Sequence, residues 1–161
     1  MPTDTPLLTG FPPLVGDAPR WLILGSFPSV ASLAAGGYYG HPRNAFWPIM
    51  GALFGFDPTL SYAERTALLT AAGVALWDVI AQCRRPGSRD EAIATDSIVL
   101  NDIGTLIAAH PTLTRIVTNG TLATRLFRRH CWRQLPLDLR KRSRHHPAPS
   151  TSPAHARRSF A

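Results

Sequence analysis

The fold is decided by residues 21–47, which read WLILGSFPSVASLAAGGYYGHPRNAFW. This stretch opens with an apolar run at residues 21–24, which is typical of a strand covered on both faces. A break at Gly25 and Ser26 follows, and the chain then enters a small-residue loop. Open α/β sheets place their sites where a buried strand ends in such a loop. A second polar loop at residues 149–153 is expected to face the first across one cleft.

Segments typical of strands and of helices alternate along the rest of the chain. The apolar periodicity predicts strands at 74–77 and 115–118, and helices at 44–54, 61–72 and 121–130. A further helix is expected to begin at Asp96 or Asn101 and to end before Pro111. Alternation of this kind favours a parallel sheet with helices on both faces.

The remaining segments carry weaker patterns. Residues 1–19 are rich in Pro, Thr and Gly and predict an irregular lead-in, and residues 83–91 predict a polar loop. A fourth strand is expected before the second polar loop, but residues 135–139 are only weakly apolar. The run RKRSRHH at 140–146 is typical of a solvated or disordered segment, and its functional interpretation is a phosphate contact.

Length and charge limit the class of protein. A chain of 161 residues predicts one domain, 1–161. The net charge is +7, and all but one of the 17 basic side chains are Arg. This excess points to a polyanionic partner, nucleic acid first, although an Arg-rich coding bias would also produce it.

Cysteine content and hydropathy indicate the compartment. Cys83 and Cys131 are too few for a four-cysteine zinc site or an iron–sulfur cluster. No secretory segment opens the chain, and no apolar run approaches the ~20 residues of a membrane span. A reduced, cytoplasmic protein is therefore expected.

Several side chains in the two loops have types suited to binding. Tyr38 and Tyr39 lie off any helical pattern, so either can stack on a base or pack the loop. Asn44 is a favoured helix N-cap residue, and His41 and Arg43 precede it. Asp78 follows a strand at the edge where parallel sheets bind ligands, or it caps a turn. The hydroxyls of the second loop, Ser150, Thr151 and Ser152, suit phosphate oxygens.

Three motifs taken together are more specific than any single residue. They are GSFP at 25–28, YYGHPRNAFW at 38–47 and PSTSPA at 149–154. With these motifs the chain resembles the uracil-DNA glycosylase superfamily, and in particular its hypoxanthine (deoxyinosine) DNA glycosylase branch. The resemblance covers roughly residues 22–156.

The resemblance implies a three-layer α/β/α fold with a central four-stranded parallel sheet. It implies a monofunctional glycosylase without metal or cofactor, acting as a monomer on DNA in the nucleoid. Hypoxanthine is the expected first substrate, with uracil or xanthine after it. The alternatives are a non-catalytic DNA-binding relative and a uracil- or mismatch-specific glycosylase. Because the chain stops at Ala161, the usual C-terminal helix is expected to be truncated.

The resemblance also implies roles for individual residues. Phe27 stands where the superfamily usually has the Asp or Asn that orients the attacking water, and in this branch Asn44 takes that role. Tyr39 is expected to stack on the flipped base, and Asp78 to read the base edge. The backbone around Gly25, Ser26 and Phe27 is expected to cradle the base.

The contacts to the DNA backbone are implied in the same way. His41 and Arg43 are expected to contact DNA, together with Ser150, Thr151, Ser152 and His155 of the second motif. A rival alignment matches residues 146–149 to the HPSP motif of the classical uracil enzymes. In that alignment His146 stabilises the departing base.

Overall fold

The structure is a computed structural model, and it describes residues 5–153. Seven strands and six α-helices alternate along these residues. The strands are β1 Leu7–Thr9, β2 Trp21–Gly25, β3 Val74–Asp78, β4 Ile80–Arg84, β5 Val99–Leu100, β6 Arg115–Asn119 and β7 Arg144–Ala148. The helices are α1 Val30–Ala35, α2 Phe46–Phe54, α3 Tyr62–Ala71, α4 Ile103–Ala109, α5 Thr121–His130 and α6 Leu137–Arg142.

Four strands form the central sheet, in the order β3-β2-β6-β7, and every pair is parallel. The carboxyl ends therefore meet at one edge, where Gly25 lies beside Asp78 and Asn119 lies beside Ala148. The predicted parallel sheet of four strands is confirmed. This edge is the one where open sheets of this class bind ligands.

Helices cover both faces of this sheet, because successive side chains of the strands point in opposite directions. Leu22 and Leu24 of β2 pack with Ile107 and Phe127 from α4 and α5. Ile23, between them, packs on the other face with residues from α2 and α3, such as Phe46, Trp47 and Leu69. The predicted three-layer α/β/α architecture is confirmed.

A second sheet lies where the sequence predicts none. Strands β1, β4 and β5 pair antiparallel, so the predicted lead-in at 1–19 contains a strand at Leu7–Thr9. The polar loop predicted at 83–91 begins later than expected, because Cys83 and Arg84 belong to β4. This second sheet forms because it covers Phe27. Ile80 and Cys83 of β4 form a small core with Phe27, and Leu8 of β1 packs against that core.

The fourth strand of the main sheet lies in the basic run that was predicted to be solvated or disordered. Residues 144–148 pair with β6 along their whole length, whereas 137–142 are helical and 135–139 contribute no strand. His145 holds this strand in place, since its ring packs on Phe127 and Trp132. Its Nε2 lies 2.8 Å from Thr118 Oγ1, and burial lowers its pKa to about 4.

The helix boundaries mostly follow the sequence signals. Helix α5 has the predicted bounds. Ser61 is the N-cap of α3 as predicted: its hydroxyl accepts from Glu64 N at 3.2 Å and donates to Glu64 Oε1 at 2.9 Å, in place of the backbone contact of a full capping box. Helix α4 begins at Ile103 after an Asp102 cap, not at Asp96 or Asn101. Within residues 5–153, no helix has the length and apolar character to cross a bilayer.

Candidate active site

A cavity of about 380 Å³ opens at the carboxyl edge of the main sheet. The ends of β2, β3 and β6 form its floor, and the two loops named from the sequence form its walls. Nine of the predicted site residues line it: Gly25, Ser26, Phe27, Tyr39, Asn44, Asp78, Ser150, Thr151 and Ser152. The two loops therefore face each other across one cavity, as the sequence predicts.

Three other predicted residues do not line the cavity. His41 and Arg43 lie on the loop between Tyr39 and Asn44, where His41 Nδ1 accepts from Arg43 N at 3.1 Å. His146 is exposed on β7, paired with Val117. His155 lies outside the described residues.

Asp78 is a buried carboxylic acid in the cavity floor. Its side chain is only 4% exposed, and its Oδ2 is fully buried without a hydrogen-bond partner within residues 5–153. Burial raises the pKa of Asp78 to about 7, although the positive charge of Arg85 opposes the rise. A buried carboxyl oxygen without a partner is costly, so this position is suited to a ligand that donates a hydrogen bond.

Tyr39 stands beside Asp78 in an unusual backbone conformation. Its φ of 55° is the only positive value for a non-glycine residue among those described. One ring face stacks on Phe46, with 3.9 Å between centroids and 20° between planes. Tyr38, by contrast, is 4% exposed and donates its hydroxyl to Pro12 O at 2.7 Å. Of the two tyrosines, Tyr38 is thus committed to packing.

Asn44 lines the cavity at the start of α2. The N-cap residue of α2 is Ala45, not Asn44 as the sequence suggests, but Asn44 Oδ1 accepts from Phe46 N at 2.9 Å, which fixes the side chain in place. An amide oxygen has two lone pairs, and the amide group also has two hydrogens to donate. The hydrogen bond to Phe46 therefore leaves Asn44 able to bind a further group in the cavity.

Asn119, at the end of β6, joins the two loops. Its Oδ1 accepts from Thr151 N and its Nδ2 donates to Thr151 Oγ1, both at 3.0 Å. The same Nδ2 lies 3.4 Å from the hydroxyl of Tyr39. The carbonyl of Thr151 accepts from Ala45 N at 3.0 Å, beside Asn44. From the sequence, Asn119 is expected at the carboxyl edge of the sheet and most simply in a turn; its role in joining the loops is not predicted, because its partners are distant along the chain.

Arg85 is a second site residue that the sequence does not reveal. It is 2% exposed, donates from Nη2 to Pro28 O at 2.7 Å, and stacks 5.2 Å from the Phe27 ring centroid. It thereby anchors the loop that follows β2. At the cavity rim, Ser26 donates to Asp90 Oδ1 at 2.9 Å. Both Arg85 and Asp90 lie within the polar loop predicted at 83–91, where no pattern marks them.

The described residues do not form a metal centre. Within 5–153, no group of three His, Cys, Asp or Glu side chains converges as ion binding would require. The side chains that line the cavity supply three carboxyl groups, two guanidinium groups, two amides and several hydroxyls, beside backbone N–H groups.

Comparisons with a family model and with known proteins point to the same protein family. The family model described as the Uracil DNA glycosylase superfamily matches residues 12–160. A hypoxanthine DNA glycosylase of Methanosarcina barkeri is 36% identical over 112 residues, which are 69% of this chain and 70% of that protein. One from Methanosarcina acetivorans is 36% identical over 115 residues, 71% and 72% of the two chains.

A solved structure agrees with these sequence matches. The solution NMR structure of a candidate uracil DNA glycosylase from Methanosarcina acetivorans superimposes with a TM-score of 0.77 at 31% identity. The match covers 95% of this chain and 89% of that one. The similarity that the three motifs suggest therefore extends over the fold.

Proposed function

This chain belongs to the uracil DNA glycosylase superfamily, and we propose that it is a DNA glycosylase that removes deaminated bases, hypoxanthine first. The hypoxanthine DNA glycosylases at 36% identity support this substrate. The cavity at the sheet edge receives the base, which must leave the duplex because its glycosidic bond is inaccessible within the stack. A cavity of about 380 Å³ lies within the range of small-molecule sites.

The buried carboxyl group of Asp78 in the cavity lining is the observation that carries this assignment. Hypoxanthine presents an N1–H donor beside its O6, whereas adenine presents an N1 acceptor with no hydrogen. An ionised Asp78 accepts from N1–H, and the same carboxylate repels the lone pair of adenine N1. Deamination thus converts a repelled base into one that donates a hydrogen bond to this carboxylate.

Tyr39 and the loop after β2 hold the base. Tyr39 is backed by Phe46 on one ring face, so it offers a rigid surface against the base. Within residues 5–153, the amide hydrogens of Ser26 and Phe27 engage no acceptor. They therefore serve as donors to the departing base, which carries away the electrons of the broken bond.

Asn44 orients the water that completes the reaction. The bond between C1′ and the base nitrogen breaks, the sugar becomes oxocarbenium-like, and the water oxygen bonds to C1′. The proton that water loses is taken up by the departing base or by solvent, since a neutral amide is not a base. The fixed Oδ1 of Asn44 accepts a hydrogen of this water with its second lone pair, and its dipole favours the positive sugar.

The remaining sequence predictions complete the proposal. His41, Arg43 and the hydroxyls of Ser150, Thr151 and Ser152 contact the DNA backbone around the cavity. His146 is exposed away from the cavity lining, so we give it no part in base departure. In line with the family resemblance, the enzyme acts as a monomer, in the cytoplasm with the nucleoid.

A panel of duplex oligonucleotides tests this function. Each carries one hypoxanthine, uracil or xanthine, and strand cleavage by alkali after incubation reports abasic sites. We expect product from hypoxanthine first and none from adenine in the same context. DNA binding without product from any of the three would establish the non-catalytic alternative, and product from uracil alone would establish the uracil-specific one.

A further inference from the structure

A second groove, of about 800 Å³, borders the cavity on the α5 side. Four arginines line it, and we call them the arginine ridge: Arg125, Arg128, Arg129 and Arg133. We propose that this ridge binds successive phosphates of the DNA strand on one side of the flipped nucleotide. The inference rests on the proposed function and adds a second contact surface to it.

The ridge is a continuous surface feature. Arg125, Arg128 and Arg129 are spaced by three and four positions on α5, which places them on one helix face. Arg133 extends this face into the short 3₁₀ turn Trp132–Gln134. All four side chains are exposed, while Ala123 and Phe127 bury the opposite face of α5 in the core.

The ridge carries uncompensated positive charge. No Asp or Glu lines the groove. Between residues 5 and 153, the only ion pair is the one joining Arg89 and Glu91, so the four guanidinium groups have no carboxylate within 4.0 Å. Like charges at this spacing on a helix repel one another, and an anionic partner removes that repulsion. Guanidinium groups bind phosphate through two parallel hydrogen bonds.

A purely structural explanation covers only part of the ridge. Cations in the last turn of a helix interact favourably with its dipole, which accounts for Arg128 and Arg129. It does not account for Arg125, which is further from the helix end, or for Arg133, which lies beyond it. It also does not explain why all four line a single groove.

The position of the groove identifies its occupant. Gly120, Thr121 and Arg125 line both the groove and the cavity, so a strand whose base enters the cavity continues along the ridge. Pro147, Ala148 and Pro149 form the other wall. Nucleic acid strands bind in basic grooves that follow their backbone. A strand already held by its flipped base is the polyanion that reaches this groove.

Binding to an unreactive probe tests the proposal independently of catalysis. The probe is a duplex with one tetrahydrofuran abasic analogue, and its affinity is measured from about 50 to about 300 mM salt. Arg128→Gln with Arg129→Gln lowers the slope of log affinity against log salt by about two, because each phosphate contact contributes about 0.9. Gln is a good helix former, so α5 is retained, and circular dichroism checks this.

The matched control removes the same two charges elsewhere. Arg20→Gln with Arg115→Gln neutralises two exposed arginines at the amino ends of β2 and β6, at the sheet edge opposite the cavity. This control leaves the slope within about 0.5 of wild type, since those residues meet no phosphate. Equal slopes for wild type and the ridge variant, or equal losses in ridge and control variants, overturn the proposal.

Shortened probes locate the contact on one side of the flipped nucleotide. Removing the duplex beyond about three nucleotides on the 5′ or the 3′ side deletes different phosphates. On one of the two sides, shortening the probe lowers the affinity of wild type about tenfold or more. The affinity of the ridge variant changes little on the same shortening, because the variant has already lost the contacts to those phosphates. If neither side shows this coupling, the ridge does not bind the adjoining strand. Absence of base release by wild type would refute the proposed function without deciding this test.

Discussion

Asn119 and Thr151 hold each other through two hydrogen bonds of 3.0 Å, although they are 32 residues apart. This pair fixes the second loop to the end of β6. It also places the Thr151 carbonyl against Ala45, next to Asn44. The geometry of the cavity therefore depends on a single side chain that need not touch the base.

We expect Asn119→Ala to reduce base release more than it reduces stability. The two lost hydrogen bonds lower the free energy of unfolding by about 1–3 kcal/mol. A displacement of Asn44 of about 1 Å lowers the single-turnover rate about a hundredfold. Thr151→Val removes only the hydroxyl contact and is the milder control. Equal single-turnover rates for Asn119→Ala and wild type would contradict the positioning role.

Asn44 has a structural and a chemical role that two substitutions separate. Asn44→Ala removes the hydrogen bond from Phe46 N, which costs about 1 kcal/mol, and lowers the rate of hypoxanthine release at least about a hundredfold. Asn44→Asp keeps the acceptor for Phe46 N. We therefore expect Asn44→Asp to retain wild-type stability, measured by urea unfolding, and more activity than Asn44→Ala. A folded and fully active Asn44→Ala would rule out the catalytic role.

Activity on hypoxanthine should follow the ionisation of Asp78. Its pKa of about 7 means that the carboxylate, which accepts from N1–H, is lost as pH falls below that value. The kcat/KM for hypoxanthine is therefore expected to fall below about pH 7. Asp78→Asn abolishes this fall of kcat/KM at low pH. It also lowers kcat/KM roughly tenfold to a hundredfold at pH 8, because a charged hydrogen bond is lost. An unchanged pH profile in Asp78→Asn would contradict the assignment.

The same carboxyl makes stability depend on pH. Its folded-state pKa of about 7 is above the ordinary ~3.9, so the folded protein retains a proton that the unfolded chain loses. Asp78 therefore lowers the free energy of unfolding as pH rises from about 4 to about 7, by at most about 4 kcal/mol. Urea unfolding should show Asp78→Asn more stable than wild type at pH 8 and similar at pH 4. The exposed Asp138→Asn is the control and should follow wild type.

Gly25 permits Asp78 and Tyr39 to approach β2. A methyl group at Gly25 would lie 2.5 Å from Asp78 Oδ1 and 3.3 Å from the Tyr39 hydroxyl. Gly25→Ala is therefore expected to displace the carboxyl and to lower hypoxanthine release about a hundredfold. Gly104→Ala is the matched control, because its methyl group meets Leu135 at an ordinary 3.5 Å. Equal activity of the two variants would contradict the close packing around Gly25.

The sequence predicts those parts of the fold and site whose pattern is local. The apolar strand at 21–24, the capping box at Ser61 and the loop residues from Gly25 to Asn44 all carry such patterns. Strand β7 carries no such local pattern, because His145 and Pro147 have no preference for strands. Their position is set by pairing with β6. The role of Arg85 in anchoring the loop after β2 is not predictable for a similar reason, since its partner Pro28 lies 57 residues away.

The two outer strands of the main sheet, β3 and β7, affect how readily the protein aggregates at high concentration. At the β3 edge, Leu14 exchanges two hydrogen bonds of 2.9 Å with Leu76, so the backbone groups there are already used. At the β7 edge, Pro147 lacks an N–H group, and exposed Arg144 and His146 flank the strand. Among residues 5–153, both outer strands therefore offer another chain only an interrupted ladder on which to add a strand. The sheet resists edge-to-edge aggregation even though its last strand is made of residues that rarely form strands.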